Sequence, residues 1–131
     1  MPSYLLVVIW LVIILAEAAY NWYLIERRHV RIKHGLRTFY RILVGGLFWI
    51  AGPIACHTLE QYQWWLMPTL MAMLFWAVFD PALNWMRGRY LCYLGSNFLD
   101  RLQKQHGGEQ LWFFVKLASA VQVVIIFLWK L

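Results

Sequence analysis

The chain has 131 residues, of which 63% are hydrophobic and only 14% are charged. Its mean hydropathy of +0.56 excludes an ordinary soluble domain, because a fold of this length could not bury so many apolar side chains. The formal net charge is +6, which in so apolar a chain predicts contact with anionic lipid headgroups rather than with nucleic acid. We therefore expect a single membrane-embedded domain over residues 1–131.

The first apolar segment covers residues 4–25 and is interrupted only by Glu17 and Asn21. Its beginning also resembles the core of a signal peptide, with Ala16-Glu17-Ala18 as a cleavage site. However, residues 1–4 carry no basic side chain, and the apolar run continues well beyond the cleavage motif. We therefore predict that this segment is retained as a transmembrane helix.

Three further segments have the length of about 20 mostly apolar residues that a membrane-crossing helix needs. They cover residues 39–59, 66–84 and 111–129, and residues 85–104 form a mixed basic and aromatic segment expected at the membrane surface. Pro53 predicts a bend in the second span, and Pro81 predicts a loosened turn at Asp80 in the third. The predicted fold is an all-α integral membrane bundle of four transmembrane helices.

Ten of the twelve Lys and Arg residues lie in or next to two of the connecting segments, and this distribution predicts the orientation. Short loops rich in Lys and Arg stay in the cytoplasm, so both termini are predicted outside and the two basic loops inside. This pattern favours a multi-pass protein of the bacterial inner membrane. We expect an inner basic rim that binds lipid headgroups or a partner; its residues are Arg27, Arg28, Arg31, Arg37, Arg41, Arg87 and Arg89.

Ionisable residues inside the spans are costly, by about 2.5 to 3.5 kcal/mol each, and usually face other helices. At a rise of 1.5 Å per residue, Glu17, Asp80 and Lys116 lie about 12, 6 and 8 Å from the inner ends of their spans. These depths predict one polar intramembrane layer, which consists of Glu17, Asn21, Asp80, Asn84 and Lys116. Its excess carboxylate is either protonated or paired with Arg87. The layer either fixes the register of the helices or lines a pathway.

The sequence contains few residue patterns typical of metal sites or of catalytic sites. Glu26 and His29, and again His57 and Glu60, have a spacing that can bind two metal ions when the helices face each other. The predicted topology separates these pairs across the membrane, so we expect no metal and no cofactor. Cys56 and Cys92 are separated in the same way and are expected to be packing residues. No catalytic motif is present, and no catalytic residue is assigned.

Three functional hypotheses follow. The first is a homo-oligomeric membrane protein that forms or gates a pathway for ions, protons or a small solute. The second is a membrane anchor or assembly subunit that binds a protein partner through its basic inner loops. The third is an enzyme acting on lipid headgroups, which requires a carboxylate and a phosphate-binding Arg to meet at headgroup depth. In size and charge pattern the chain resembles small bacterial or phage membrane proteins, including holin-like ones, and this resemblance is one of composition.

Overall fold

The computed structural model describes residues 2–31, 34–55, 59–93 and 98–129. In these ranges the chain forms five helices and no strand, which confirms the all-helical prediction. The helices are α1 (Ser3–Glu26), α2 (His34–Ala55), α3 (Gln61–Met86), α4 (Phe98–Gln105) and α5 (Gly108–Leu128). Cys56 and His57, which enter the predictions above, lie outside the described residues.

Three of these helices, α1, α3 and α5, are long and apolar enough to cross a membrane. Their lengths of 24, 26 and 21 residues correspond to about 32 Å or more, compared with about 30 Å of hydrocarbon. Large apolar side chains remain on their outer faces, including Val12 at 60% and Phe114 at 61% exposure. Lipid is the environment that such surfaces require. Length and composition thus confirm three of the four predicted transmembrane helices, namely α1, α3 and α5.

Helix α3 is the centre of the bundle, with α1 and α5 packed along it and α2 against it. Its buried residues Met67, Leu70, Met71, Leu74 and Ala77 recur every three or four positions, as expected for one face of a helix. The matching stripes on the other helices are Leu6, Val7, Trp10, Ile14 and Ala18 of α1, and Ala120 and Phe127 of α5.

Polar contacts fix both ends of α3. At its beginning, the backbone N–H of Glu60 donates to Oε1 of Gln63 at 3.0 Å, and Nε2 of Gln63 donates to the carbonyl of Phe127 near the end of α5. Pro81 does not end the helix, since α3 continues to Met86. Between α4 and α5, Gly107 has a φ of +126°, a backbone conformation that residues with a side chain rarely adopt.

Helix α2 packs on α3 but diverges from α1. Near its end, Nε1 of Trp49 donates to the carbonyl of Trp64 at 3.0 Å. Gly52 also lies against Met67, so that a Cβ there would come within 2.8 Å of the methionine methyl group. The divergence leaves a cleft between α1 and α2, with α3 as its floor.

Candidate functional site

Among the described residues, the ion pair with the shortest distance joins α1 to α2. Nε of Arg41 lies 2.7 Å from Oε1 of Glu17, and the two side chains are 31% and 10% exposed. The guanidinium also lies 4.4 and 4.7 Å from the ring centroids of Phe75 and Phe79 on α3. Arg41, on α2, therefore contacts both α1 and α3, by an ion pair with the first and by cation–π contacts with the second.

This pair lies in the wall of the cleft between α1 and α2. The cleft has a volume of about 1230 Å³, which is above the range of about 300 to 1,000 Å³ typical of small-molecule pockets. Most of its wall is apolar. Trp10, Ile14 and Trp49 line the end that lies far from the basic connection between α1 and α2. Arg31 and Arg37 line its opposite end, next to that connection.

A second ion pair joins α3 to α5. Nζ of Lys116 lies 3.8 Å from Oδ2 of Asp80, and the two side chains differ in burial, at 6% and 49% exposure. The ammonium group also lies 5.1 Å from the ring centroid of Trp76. The neighbouring cavity has a volume of only about 10 Å³, which is close to the lower limit for a single water molecule.

The five residues predicted as a polar layer thus occupy different settings. Glu17 pairs with Arg41, and Asp80 with Lys116, whereas no hydrogen bond or ion pair among the described residues links the two pairs. Asn21 is buried in the core, and neither of its amide atoms has a hydrogen-bond partner in the described part of the chain. Asn84 instead donates to the carbonyl of Tyr93 at 2.8 Å, which fixes the loop that follows α3.

The residues of the predicted basic rim also differ from one another in their contacts. Arg27 is exposed, and Nε of Arg28 donates to the hydroxyl of Tyr23 at 3.2 Å. Arg31, Arg37 and Arg41 all line the cleft. In the segment that follows α3, the guanidinium of Arg89 lies 4.6 Å from the ring centroid of Tyr93. Arg87 pairs with Glu26 at 2.9 Å. Its pairing with Asp80 or Glu17, one of the two alternatives predicted for the excess carboxylate, is not formed.

Residues 2–31, 34–55, 59–93 and 98–129 contain no group of three or more His, Cys, Asp or Glu side chains able to hold a metal ion. His29 is exposed and has a left-handed φ of +51°. Cys92 is a half-buried free thiol.

The role of Arg41 is the main feature that the sequence pattern did not assign. Its position just inside the second apolar segment is typical of a topology-setting arginine at the membrane surface. Only its distance from Glu17 distinguishes it from the other rim residues. The sequence contains only a weak indication of this pairing, namely the position of Arg41 inside an apolar segment. An arginine within a span needs a counter-charge at a similar depth in a neighbouring helix.

Comparison of the chain with models of known protein families, with characterised proteins and with solved structures gives no match. The class of protein therefore follows from the fold itself. The all-helical fold and its three apolar helices define the chain as a helical membrane protein.

Proposed function

We propose that α2 is a fourth transmembrane helix and that both termini face the outside. The support for this is that α2 has 22 residues, about 33 Å at 1.5 Å per residue, and exposes large apolar side chains along its length. Examples are Ile42 at 68% and Ile54 at 70% exposure. The outside position of the termini rests on the basic residues, which this arrangement collects on one face of the membrane.

In the same proposal the chain resides in the bacterial inner membrane and works as a homo-oligomer, with anionic lipid headgroups at its basic rim. The apolar outer faces of α1, α2 and α5 provide surfaces for a second copy as well as for lipid. Mass measurement of the protein in lipid nanodiscs tests the oligomer, because a single copy per disc at all protein-to-disc ratios contradicts it.

We further propose that the protein forms or gates a pathway for ions, protons or a small solute, with Glu17 and Arg41 as its polar centre. The observation that carries this proposal is that the pair lines an open cleft, and in the proposed four-span arrangement this part of the cleft lies within the hydrocarbon. Intramembrane charges that face a cavity commonly mark such routes. Asp80 and Lys116 lack comparable space and join α3 to α5, so we assign them to the helix register.

The test is flux through proteoliposomes, measured as proton movement with an entrapped pH-sensitive dye and as release of a small fluorescent solute. We expect Glu17→Gln to reduce flux to the level of protein-free vesicles while the protein stays folded. Glu26→Gln is the matched control, because Glu26 also pairs with an arginine but lies at the end of α1, outside the cleft lining. Equal flux in wild type and Glu17→Gln contradicts the pathway.

A second candidate function is a membrane anchor that binds a protein partner. The observation that favours it is the exposure of Arg27 and Arg28 at the end of α1. Reversal of these charges to Glu would then abolish a co-purifying partner and leave flux unchanged. For a lipid-headgroup enzyme the required contact of Asp80 with Arg87 is not formed, since each pairs with another residue, and we do not propose it.

A further inference from the structure

The cleft between α1 and α2 has two chemically different ends. Arg31 and Arg37 line its inner end, together with the exposed aromatic rings of Tyr20 and Tyr40. Arg37 and Trp49 are twelve positions apart on α2, which corresponds to a distance of about 18 Å along the helix at 1.5 Å per residue. This length is close to the depth of one leaflet, or half of about 30 Å of hydrocarbon. Aromatic rings at the charged end fit a position at the membrane interface.

The inner end carries uncompensated positive charge. Glu17 offsets Arg41, but the ion pairs formed by the described residues do not include Arg31 or Arg37. The guanidinium of Arg37 lies over the ring of Tyr20, 5.0 Å from its centroid. Two arginines without a carboxylate, beside an apolar cleft, are complementary to a phosphate that is attached to a hydrocarbon chain.

We propose that the cleft binds one anionic phospholipid of the inner leaflet. Its phosphate binds at Arg31 and Arg37, and an acyl chain lies between α1 and α2 as far as Trp10 and Trp49. The site depends on the proposed orientation of the helices. The acyl chain covers Glu17 and Arg41, so a bound lipid closes the proposed pathway and its release opens the pathway.

Charge favours a lipid over a second copy of the chain as the occupant. All copies share one orientation in the membrane, so their basic segments lie at the same depth. A helix from a neighbouring copy would therefore bring like charges toward Arg31 and Arg37, which is unfavourable. An anionic headgroup brings the opposite charge to the same place.

The first test is native mass spectrometry of the full chain with added phosphatidylglycerol or phosphatidylcholine. We expect the wild type to retain phosphatidylglycerol in preference to phosphatidylcholine, and Arg31→Gln/Arg37→Gln to lose this preference. Arg101→Gln/Lys104→Gln is the control, since it also removes two positive charges but neither residue belongs to the basic rim or to the cleft lining. Equal retention of both lipids by the wild type, or an equal loss in the control, overturns the proposal.

The second test fills the cleft. A Cβ at Gly46, which lines the cleft, meets no atom within 4 Å, so a phenylalanine there can extend into the space assigned to the acyl chain. We expect Gly46→Phe to lose the bound lipid and Gly35→Phe to keep it. Gly35 also has room for a Cβ but is not part of the lining. Lipid retained by Gly46→Phe as by the wild type overturns the site.

Binding and flux are measured separately, so the two proposals can fail separately. If phosphatidylglycerol is retained selectively but vesicles made of phosphatidylcholine alone, in which the site holds no anionic lipid, show no flux, the lipid site stands and the pathway is wrong. If flux depends on Glu17 and no lipid is retained selectively, the lipid site is wrong and the pathway stands.

Discussion

At the scale of single residues, the two side chains of the Asp80–Lys116 pair differ in how far the protein covers them. Lys116 is enclosed by α3 and α5, whereas about half of the Asp80 side chain is exposed. The loss of one partner therefore has different consequences for the other. A buried ammonium without its carboxylate has no compensating charge. A carboxylate at the protein surface, about 6 Å from the end of its span, can instead be reached by water from the membrane interface.

We predict that Asp80→Asn destabilises the protein more than Lys116→Met does. Removal of one partner from a buried pair costs about 3 to 5 kcal/mol, and the full effect is expected only where Lys116 remains. The measurement is denaturant-induced unfolding in mixed micelles. The double variant should recover most of the loss, and a larger effect of Lys116→Met contradicts the prediction.

Asn21 is also a polar residue in an apolar setting, with 1% of its surface exposed. Neither of its amide atoms has a hydrogen-bond partner among the described residues. A buried unsatisfied group costs about 1 to 3 kcal/mol, so Asn21→Leu should raise the free energy of unfolding or leave it unchanged. The same unfolding assay measures this, with Ser119→Leu on α5 as a control for added hydrophobicity. Clear destabilisation would mean that the amide has a partner.

At the scale of helices, the approach of α2 to α3 depends on the absence of a side chain at Gly52. A Cβ there would lie 2.8 Å from Cε and 3.1 Å from Sδ of Met67. Met67 is only 1% exposed, so its side chain has little room to move away. By contrast, a Cβ at Gly46, almost two turns earlier in the same helix, meets nothing.

We predict that Gly52→Leu separates α2 from α3 and that Gly46→Leu does not. Overpacking of a tight contact typically costs about 1 to 3 kcal/mol. Thermal unfolding should show a lower midpoint for Gly52→Leu alone, and disulfide crosslinking between cysteines at Trp49 and Trp64 should become less efficient in that variant. If both leucine variants behave alike, the close contact at Gly52 does not stabilise the helix pair.

At the scale of the whole molecule, the orientation of α2 decides which face of the membrane each connection occupies. If α2 spans, the beginning of α3 lies outside and α4 lies inside. If α2 stays on the inner surface, these two assignments are reversed, because α3 then starts from the inside. The basic residues favour the first arrangement.

Cysteine labelling distinguishes these arrangements. In a background with Cys56 and Cys92 replaced by Ser, we predict that Ser3→Cys and Gln61→Cys react with an impermeant maleimide in intact cells. Gln105→Cys should react only after permeabilisation. Gln105→Cys labelled in intact cells, with Gln61→Cys protected, would contradict the four-span topology.

The sequence by itself determined the helical class and the membrane environment of the protein. Both follow from the length of the apolar segments, which is a local property: about 20 apolar residues must form a helix to satisfy their backbone in lipid. The approximate positions of α1, α3 and α5 follow for the same reason. Composition also indicated that Glu17, Asp80 and Lys116 need partners inside the membrane.

Only the tertiary structure decided which partners they have. Glu17 and Arg41 are 24 residues apart in the sequence, and Asp80 and Lys116 are 36 apart. Depth in the membrane restricts the candidates, but the rotation of each helix about its axis selects among them. That rotation depends on the packing of α1 and α5 against α3 and on the contact at Gly52. The cleft exists because α2 packs on α3 and diverges from α1, which no single segment of sequence specifies.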